Sequence, residues 1–160
     1  MEDFVTFEIA RKLKEKGFVE LCLVYYTNDD RINYNYSHKS GTCHRDCYFS
    51  HNLMPKDSVS GKFVDAPTIY QVLKWLRKEK NIDVEIHADV GMLGHKVYLP
   101  YISTYTEFRF DESDDVVRYR QKKFNPTTPL PHEIIPAHVY FNEWEEAALA
   151  GIEYVLDKLI

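Results

Sequence analysis

Residues 38–51 (HKSGTCHRDCYFSH) concentrate the residue types that bind metals and carry out nucleophilic chemistry. They contain two of the chain's three cysteines and three of its seven histidines. Three residues separate Cys43 from Cys47, and three separate Cys47 from His51. Such spacings occur between paired zinc ligands. The first question is therefore whether Cys43, Cys47 and His51 bind a zinc ion.

The arrangement of these residues opposes a structural zinc site. Such sites usually join two ligand pairs through about a dozen residues, whereas all candidates here fall in one short segment. On a helix, Cys43 and His51 would be about 12 Å apart along the axis. Bonds of about 2.0 to 2.3 Å to one ion do not span that distance. We therefore predict no metal, no cofactor and a polar loop with reduced thiols.

A nucleophilic cysteine needs a nearby base and positive charge around the thiol. Cys43 is followed by His44 and Arg45, but neighbours in sequence do not establish that geometry. Cys22 lies in the apolar run LCLV and is predicted to be in the core. A non-enzymatic protein is favoured, and a small metal-dependent or thiol enzyme built on residues 38–51 is the alternative.

Two basic runs that contain aromatic residues, 74–80 (KWLRKEK) and 118–124 (RYRQKKF), raise the possibility of nucleic-acid binding. Their structural interpretation is a helix C-terminus and a solvated edge strand. The formal charge of −5 and the pI of about 5.8 disfavour a general nucleic-acid binder. An RNA or single-stranded DNA binder is the second alternative.

A third group of polar residues alternates along one predicted strand. Asp83, Glu85, His87 and Asp89 fall on the same face of residues 82–90. Such a row could bind a cation or act as a general acid and base. More often such a row is the solvated face of an amphipathic strand, and we favour that interpretation.

Length and composition indicate an ordinary globular protein. The 160 residues are predicted to form a single domain, and 44% of them are hydrophobic. The N-terminus lacks the apolar region of a signal peptide, and no apolar run approaches a membrane span. An odd number of cysteines is typical of reduced thiols. These features predict a cytoplasmic location and no membrane association.

Hydrophobic periodicity predicts an α+β fold, in which an antiparallel or mixed sheet packs against helices mainly on one face. The predicted order is α-β-β-α-β-β-β-α, with a long irregular loop at residues 37–64. The first two strands, residues 18–26 and 32–36, are predicted to form a hairpin. Residues 96–103 and 104–110 are predicted as two further strands, and Pro100 places the first of them near an edge or bulge. Thr6 is expected to cap the first helix and Gly17 to end it. Asp65 and Pro67 are expected at the start of the second helix, and Asn142 with Glu145 at the start of the last. The residues predicted to be buried are Leu73, Leu76, Val84, Ile86, Ile152, Val155, Leu156 and Leu159.

Three segments resemble parts of small uncharacterised proteins from gut-bacterial genomes, often in prophage or other mobile-element neighbourhoods. They are VTFEIARKLKEKGF, DAPTIYQVLKWLRKEKNIDVEI and NEWEEAALAGIEYVLDKLI. The resemblance covers about residues 5–26, 65–86 and 140–160, and it omits the Cys/His stretch. It implies a bacterial or phage accessory protein of the cytoplasm and carries no catalytic residues.

Taken together, these patterns favour a binding protein whose aromatic strands or long loop contact another macromolecule, with a protein as the expected partner. The sequence leaves the partner's identity and the oligomeric state open. The candidate binding residues are aromatic or basic: Tyr34, Tyr36, Trp75, Arg118, Tyr119 and Arg120.

Overall fold

The computed structural model describes residues 3–27, 31–35, 37–39, 42–44, 48–55, 62–90, 94–110, 113–124 and 140–160. The secondary structure in these ranges confirms the predicted α+β class. The elements are α1 (Phe7–Glu15), β1 (Val24–Tyr26), β2 (Ile32–Tyr34), β3 (Ser37–Lys39), β4 (Thr42–His44), β5 (Val64–Asp65), α2 (Ile69–Glu79), β6 (Ile82–Val90), β7 (Lys96–Phe110), β8 (Ser113–Phe124) and α3 (Trp144–Lys158).

The backbone forms two compact units, Met1–Gln71 and Val72–Ile160. The predicted single domain over residues 1–160 stays a prediction. No helix in the described part of the chain is long and apolar enough to cross a membrane.

Both ends of α1 are fixed as the sequence predicts. The Thr6 hydroxyl accepts a hydrogen bond from the Ile9 N–H at 3.4 Å. At the other end, Gly17 has a φ of +85°, which glycine adopts without strain. The Phe18 N–H then donates to the Leu13 carbonyl at 2.9 Å, and both of these side chains are buried. This arrangement is a Schellman motif, in which a glycine in the left-handed conformation ends the helix and apolar residues flank it.

The first unit contains an antiparallel sheet in the order β2-β1-β5. The predicted hairpin is present, with Tyr25 opposite Asn33. Tyr26 is buried, its hydroxyl donates to the Val5 carbonyl at 2.7 Å, and its ring meets Phe7 of α1 edge-on. One face of this sheet therefore packs against α1.

The region 37–64 contains strands that its aperiodic sequence does not predict. β3 and β4 form a hairpin, and β5 joins the first sheet opposite β1. Asp65 belongs to β5 and does not cap α2. Instead, Thr68 and Gln71 form a reciprocal cap: the Thr68 hydroxyl accepts from the Gln71 N–H at 3.2 Å, and Gln71 Oε1 accepts from the Thr68 N–H at 2.9 Å.

The second unit contains an antiparallel sheet in the order β6-β7-β8. Two predicted strands form the single long strand β7, whose pairing with β8 shifts register between Thr104 and Tyr105. Pro100 pairs with β6 at a point that β8 does not reach, since the β7–β8 pairing begins at Ile102. Among the described residues, none pairs with Pro100 on the side that lacks an N–H, which agrees with the predicted position near an edge.

Helix α3 lies against β6 and β7. At Gly151 an added Cβ would come within 2.8 Å of Val84 Cγ1 and 3.1 Å of Pro100 Cβ, so the approach is close. The expected cap at Asn142 is wrong, because the N-cap is Glu143 and it makes no side-chain capping bond. Of the eight predicted core residues, Ile86 and Leu159 are only partly buried. The remaining six are buried: Leu73, Leu76, Val84, Ile152, Val155 and Leu156.

Candidate functional site

Residues 48–55, called here the anchored loop, are attached to the first sheet through the carboxylate of Asp65. The Ser50 hydroxyl donates to Asp65 Oδ2 at 2.9 Å, the His51 N–H donates to Oδ1 at 2.9 Å, and the Asn52 N–H donates to Oδ2 at 3.0 Å. Asp65 is completely buried. Burial of a carboxylate is unfavourable unless donors replace its water, and these three donors do so.

Asn52 strengthens this attachment in the opposite direction. Its side-chain oxygen accepts from the Asp65 N–H at 3.4 Å, and its amide nitrogen donates to the Phe18 carbonyl at 2.9 Å. The Met54 N–H donates to the His51 carbonyl at 3.1 Å and closes a turn. The middle of the anchored loop is thus tied to β5 and to Phe18, which follows the C-terminal turn of α1.

The imidazole of His51 is a core side chain and not a solvated one. It is 6% exposed, and its Nε2 lies 2.9 Å from Asn35 Oδ1. Its ring centroid is 4.4 Å from that of Tyr25, 4.9 Å from that of Phe49 and 5.4 Å from that of Phe63. The ring therefore fills the space between the sheet and the anchored loop.

The amide of Asn35 connects His51 to the segment before β1. Its nitrogen donates to the Cys22 carbonyl at 3.0 Å, while its oxygen faces His51. Cys22 itself is buried, as predicted, and its backbone pairs with Phe49. Burial, assisted by the nearby carboxylates of Asp65 and Glu20, raises the pKa of the Cys22 thiol far above its usual range.

This combination of an amide, an imidazole, a thiol and a carboxylate does not have the properties of a nucleophilic site. A reactive cysteine needs a lowered pKa and access to substrate, and Cys22 has neither. The Asp65 carboxylate is occupied by three donors within the fold. The chemistry available to this cluster is therefore structural, because it fixes the conformation of the anchored loop.

The outer side of the anchored loop is apolar and accessible. Tyr48 is 57% exposed and Leu53 is 62% exposed. Ser50 and His51, which lie between them in the sequence, are buried. A loop with a fixed interior thus presents two large apolar side chains to solvent.

Of the three candidate metal ligands, only His51 has a described side chain. His51 is enclosed in the aromatic cluster, Cys43 lies on β4 opposite His38, and Cys47 lies outside the described residues. Across the described ranges, no group of three or more His, Cys, Asp or Glu side chains is arranged to hold a metal ion. The absence of structural zinc stays a prediction.

The candidate binding residues have different surroundings. Tyr34 is exposed on β2, whereas Trp75 is 3% exposed and is therefore unavailable to a partner. Arg118, Tyr119 and Arg120 lie on β8, opposite Glu107, Thr106 and Tyr105 of β7. Tyr36 lies outside the residues with described side chains.

The polar row on β6 is satisfied largely by its own neighbours. Asp83 forms an ion pair with Arg77 at 2.9 Å, and Glu85 Oε2 lies 3.1 Å from His87 Nε2. The His87 ring also lies against Tyr101, with centroids 4.5 Å apart. These pairs support the interpretation of the row as a solvated strand face, and they reduce the positive charge that Arg77 could offer to a phosphate.

Sequence reasoning missed Asp65, Ser50 and Asn52 as the residues that organise this site. The available signal was the acidic Asp65 inside the apolar stretch FVDAP, which sequence analysis assigned to a helix start. Comparison with known proteins finds no matching family model, no matching curated protein and no matching solved structure. The bacterial or prophage origin implied by the resemblance stays a prediction.

Proposed function

We propose that this protein is a non-enzymatic, cytoplasmic binding protein and that the anchored loop is the part of it that contacts a partner protein. The observation that carries the proposal is the contrast within this loop. Ser50, His51 and Asn52 are held by Asp65, while Tyr48 and Leu53 project into solvent. The resemblance of three segments to bacterial and prophage proteins suggests that this binding protein has an accessory role in a bacterium or phage.

Binding through a loop is costly when the loop must be ordered on contact. The backbone of each residue that becomes fixed costs roughly 1 to 2 kcal/mol. In the anchored loop the hydrogen bonds to Asp65 and the turn closed by Met54 supply that order beforehand. Preorganisation of this kind improves affinity without adding any contact.

The exposed side chains have suitable chemistry for a protein partner. Tyrosine is enriched where interfaces lose water, because its ring supplies apolar area and its hydroxyl can still hydrogen-bond. A leucine beside it adds apolar area with little entropic cost. Neither side chain is required to fill the core, since both are mostly exposed.

The alternative functions receive less support from the described residues. Cys22 is buried and protonated, which argues against a thiol enzyme at this site. For nucleic-acid binding, Trp75 is buried and Arg77 is paired with Asp83, so neither is free to contact a base. A protein partner is therefore the better-supported class.

Site-specific photo-cross-linking tests the proposal. A photoreactive amino acid at position 53 is expected to capture a defined protein in cells of the source organism. The same amino acid at the exposed position of Glu153 serves as the control and is expected not to capture it. The double variant Tyr48→Ser/Leu53→Ser, with the probe at the exposed position of Pro55, should lose the capture while its melting temperature stays unchanged.

Two results would contradict the proposal. One is the same set of cross-linked proteins from positions 53 and 153, which would indicate non-specific capture. The other is a defined partner whose cross-link survives the double variant. Asp65→Asn supplies a further check, because a loop that is loosened but keeps Tyr48 and Leu53 should bind the same partner more weakly.

A further inference from the structure

The outer edge of β2 is a second exposed feature of the first unit. β2 is at the edge of its sheet, and Ile32 and Tyr34 are each 43% exposed. Both side chains lie on the face of Val24 and Tyr26, which they oppose in the register. An exposed edge with apolar side chains is a template for another strand.

The hydrogen-bond pattern defines which backbone groups point outward from β2. The Asn35 N–H donates to the Leu23 carbonyl at 2.9 Å, and the Thr27 N–H donates to the Arg31 carbonyl at 3.2 Å. Because hydrogen-bonded pairs alternate along an antiparallel ladder, the N–H and C=O of Ile32 and Tyr34 point away from β1. The same two residues therefore present both backbone groups and apolar side chains at the edge.

This edge is complementary to itself. If two copies pair antiparallel about Asn33, each Ile32 lies opposite the Tyr34 of the other copy. These two positions would exchange four backbone hydrogen bonds. Each would also bring a β-branched side chain against an aromatic one, a cross-strand pair that stabilises sheets. A two-fold axis through Asn33 produces both pairs at once, as an isologous interface requires.

Charge is compatible with this pairing. Protein edges are commonly guarded by lysine, by proline or by a bulge, and residues 32–35 contain neither charge nor proline. In the two-fold register Arg31 falls opposite Asn35, so no like charges oppose each other between residues 31 and 35. A foreign strand would need to match this register by chance, whereas a second copy does so by symmetry.

We propose that two copies of this protein associate through β2, pairing antiparallel about Asn33. The two short strands cover less area than the roughly 1,200 Å² or more that stable dimers bury. The association is therefore reversible and depends on protein concentration. It uses neither Tyr48 nor Leu53 of the anchored loop, so it does not rest on the proposed binding function.

Sedimentation velocity on the full chain tests the proposal with paired charge variants. The wild type is expected to shift from monomer to dimer as its concentration rises. Ile32→Lys/Tyr34→Lys would place ammonium groups opposite each other at both positions, and we expect its dissociation constant to rise at least about tenfold. Ile32→Lys/Tyr34→Glu would place opposite charges there instead, and it is expected to dimerise.

Leu21→Lys is the matched control, since Leu21 is an exposed apolar residue of the same unit outside β2. It should dimerise as the wild type does. A monomeric wild type at every concentration would overturn the proposal. So would a dimer that the two-lysine variant leaves intact, because that dimer would use another surface.

Disulfide trapping gives an independent measurement. In the proposed register the two Asn33 residues form a non-hydrogen-bonded pair with Cα atoms about 4.5 Å apart, within the range of a disulfide. Asn33→Cys in a Cys43→Ser/Cys47→Ser background is expected to give a covalent dimer on mild oxidation. Leu21→Cys in the same background should remain monomeric, and equal trapping at both positions would overturn the proposal.

Discussion

Asn35 Oδ1 lies 2.9 Å from His51 Nε2, and both side chains are buried. The other end of the same amide donates to the Cys22 carbonyl, which fixes its orientation. An oxygen facing the ring can only accept, so neutral His51 must carry its proton on Nε2. Asn35 therefore selects the tautomer of His51 as well as its position.

The first prediction concerns this pair. Asn35→Ala removes the buried acceptor that faces His51 Nε2 and one of the two donors to the Cys22 carbonyl, which keeps its bond from the Phe49 N–H. We expect the unfolding free energy to fall by about 1 to 3 kcal/mol. Asn33→Ala is the control, because Asn33 lies on the adjoining strand β2 and its side chain makes only an exposed bond, to the Arg31 carbonyl. Its effect should stay within about 0.5 kcal/mol.

Nitrogen-15 NMR of the histidine rings checks the tautomer directly. In the wild type, the neutral form of His51 should carry its proton on Nε2. A His51 ring protonated on Nδ1 in the neutral protein would contradict the orientation of the Asn35 amide.

The second prediction concerns the anchor of the loop. In Asp65→Asn, an NH₂ group replaces one carboxylate oxygen. In either orientation it faces a donor that bonds to Asp65 in the wild type. We expect a loss of about 2 to 4 kcal/mol in unfolding free energy. Hydrogen exchange of the His51 and Asn52 amides should accelerate, because either orientation of the new amide removes the oxygen acceptor of one of them and loosens the loop that contains both.

Asp83→Asn is the matched control for this experiment. Asp83 pairs with Arg77, whose side chain is largely exposed, so the change should cost less than about 1 kcal/mol. It should leave the exchange of the loop amides unchanged. Equal effects of the two substitutions would show that Asp65 does not hold the loop.

The third prediction follows from the raised pKa of the Cys22 thiol. Above about pH 8.5 an unfolded thiol loses its proton, while the folded protein keeps it. The folded state then binds more protons, so stability decreases as the pH rises, by about 1.4 kcal/mol per pH unit from this residue. Below that pH the full contribution is present.

Chemical denaturation at several pH values between 7 and 10 checks this prediction. Cys22→Ala should remove the Cys22 part of the decline, so the variant's stability should fall less steeply than that of the wild type. Parallel pH profiles for the two proteins would contradict burial of the thiol. Tyrosine ionisation contributes equally to both proteins and cancels in the comparison.

The parts of the fold that sequence predicted are those determined by local interactions. Thr6 bonds to a residue three positions away, and Gly17 needs only its own φ. The predicted hairpin likewise pairs residues close in the chain. Such signals lie within a few residues of each other, and a periodic pattern is enough to identify them.

The candidate site depends on contacts that sequence does not show. Asp65 meets Ser50 and His51 across more than a dozen positions, and Asn35 meets His51 across sixteen. Because these partners are distant in sequence, His51 looked like a loop residue and a candidate ligand. The cap formed by Thr68 and Gln71 is different, since its S/T-x-x-E/Q pattern was present and was overlooked beside Pro67.

The fourth prediction concerns the contact of α3 with its sheet. Gly151 lies where a Cβ would come within 2.8 Å of Val84 Cγ1, and Val84 is a buried, stiff β-branched residue. Gly151→Val should therefore force α3 away from β6 and β7, at a cost of about 2 to 3 kcal/mol. Glu153→Val, on the exposed side of the same helix, should change stability by no more than about 0.5 kcal/mol. Urea denaturation of the two variants measures the difference. If Gly151→Val were as stable as the wild type, α3 could not lie as close to Val84 as 2.8 Å from an added Cβ.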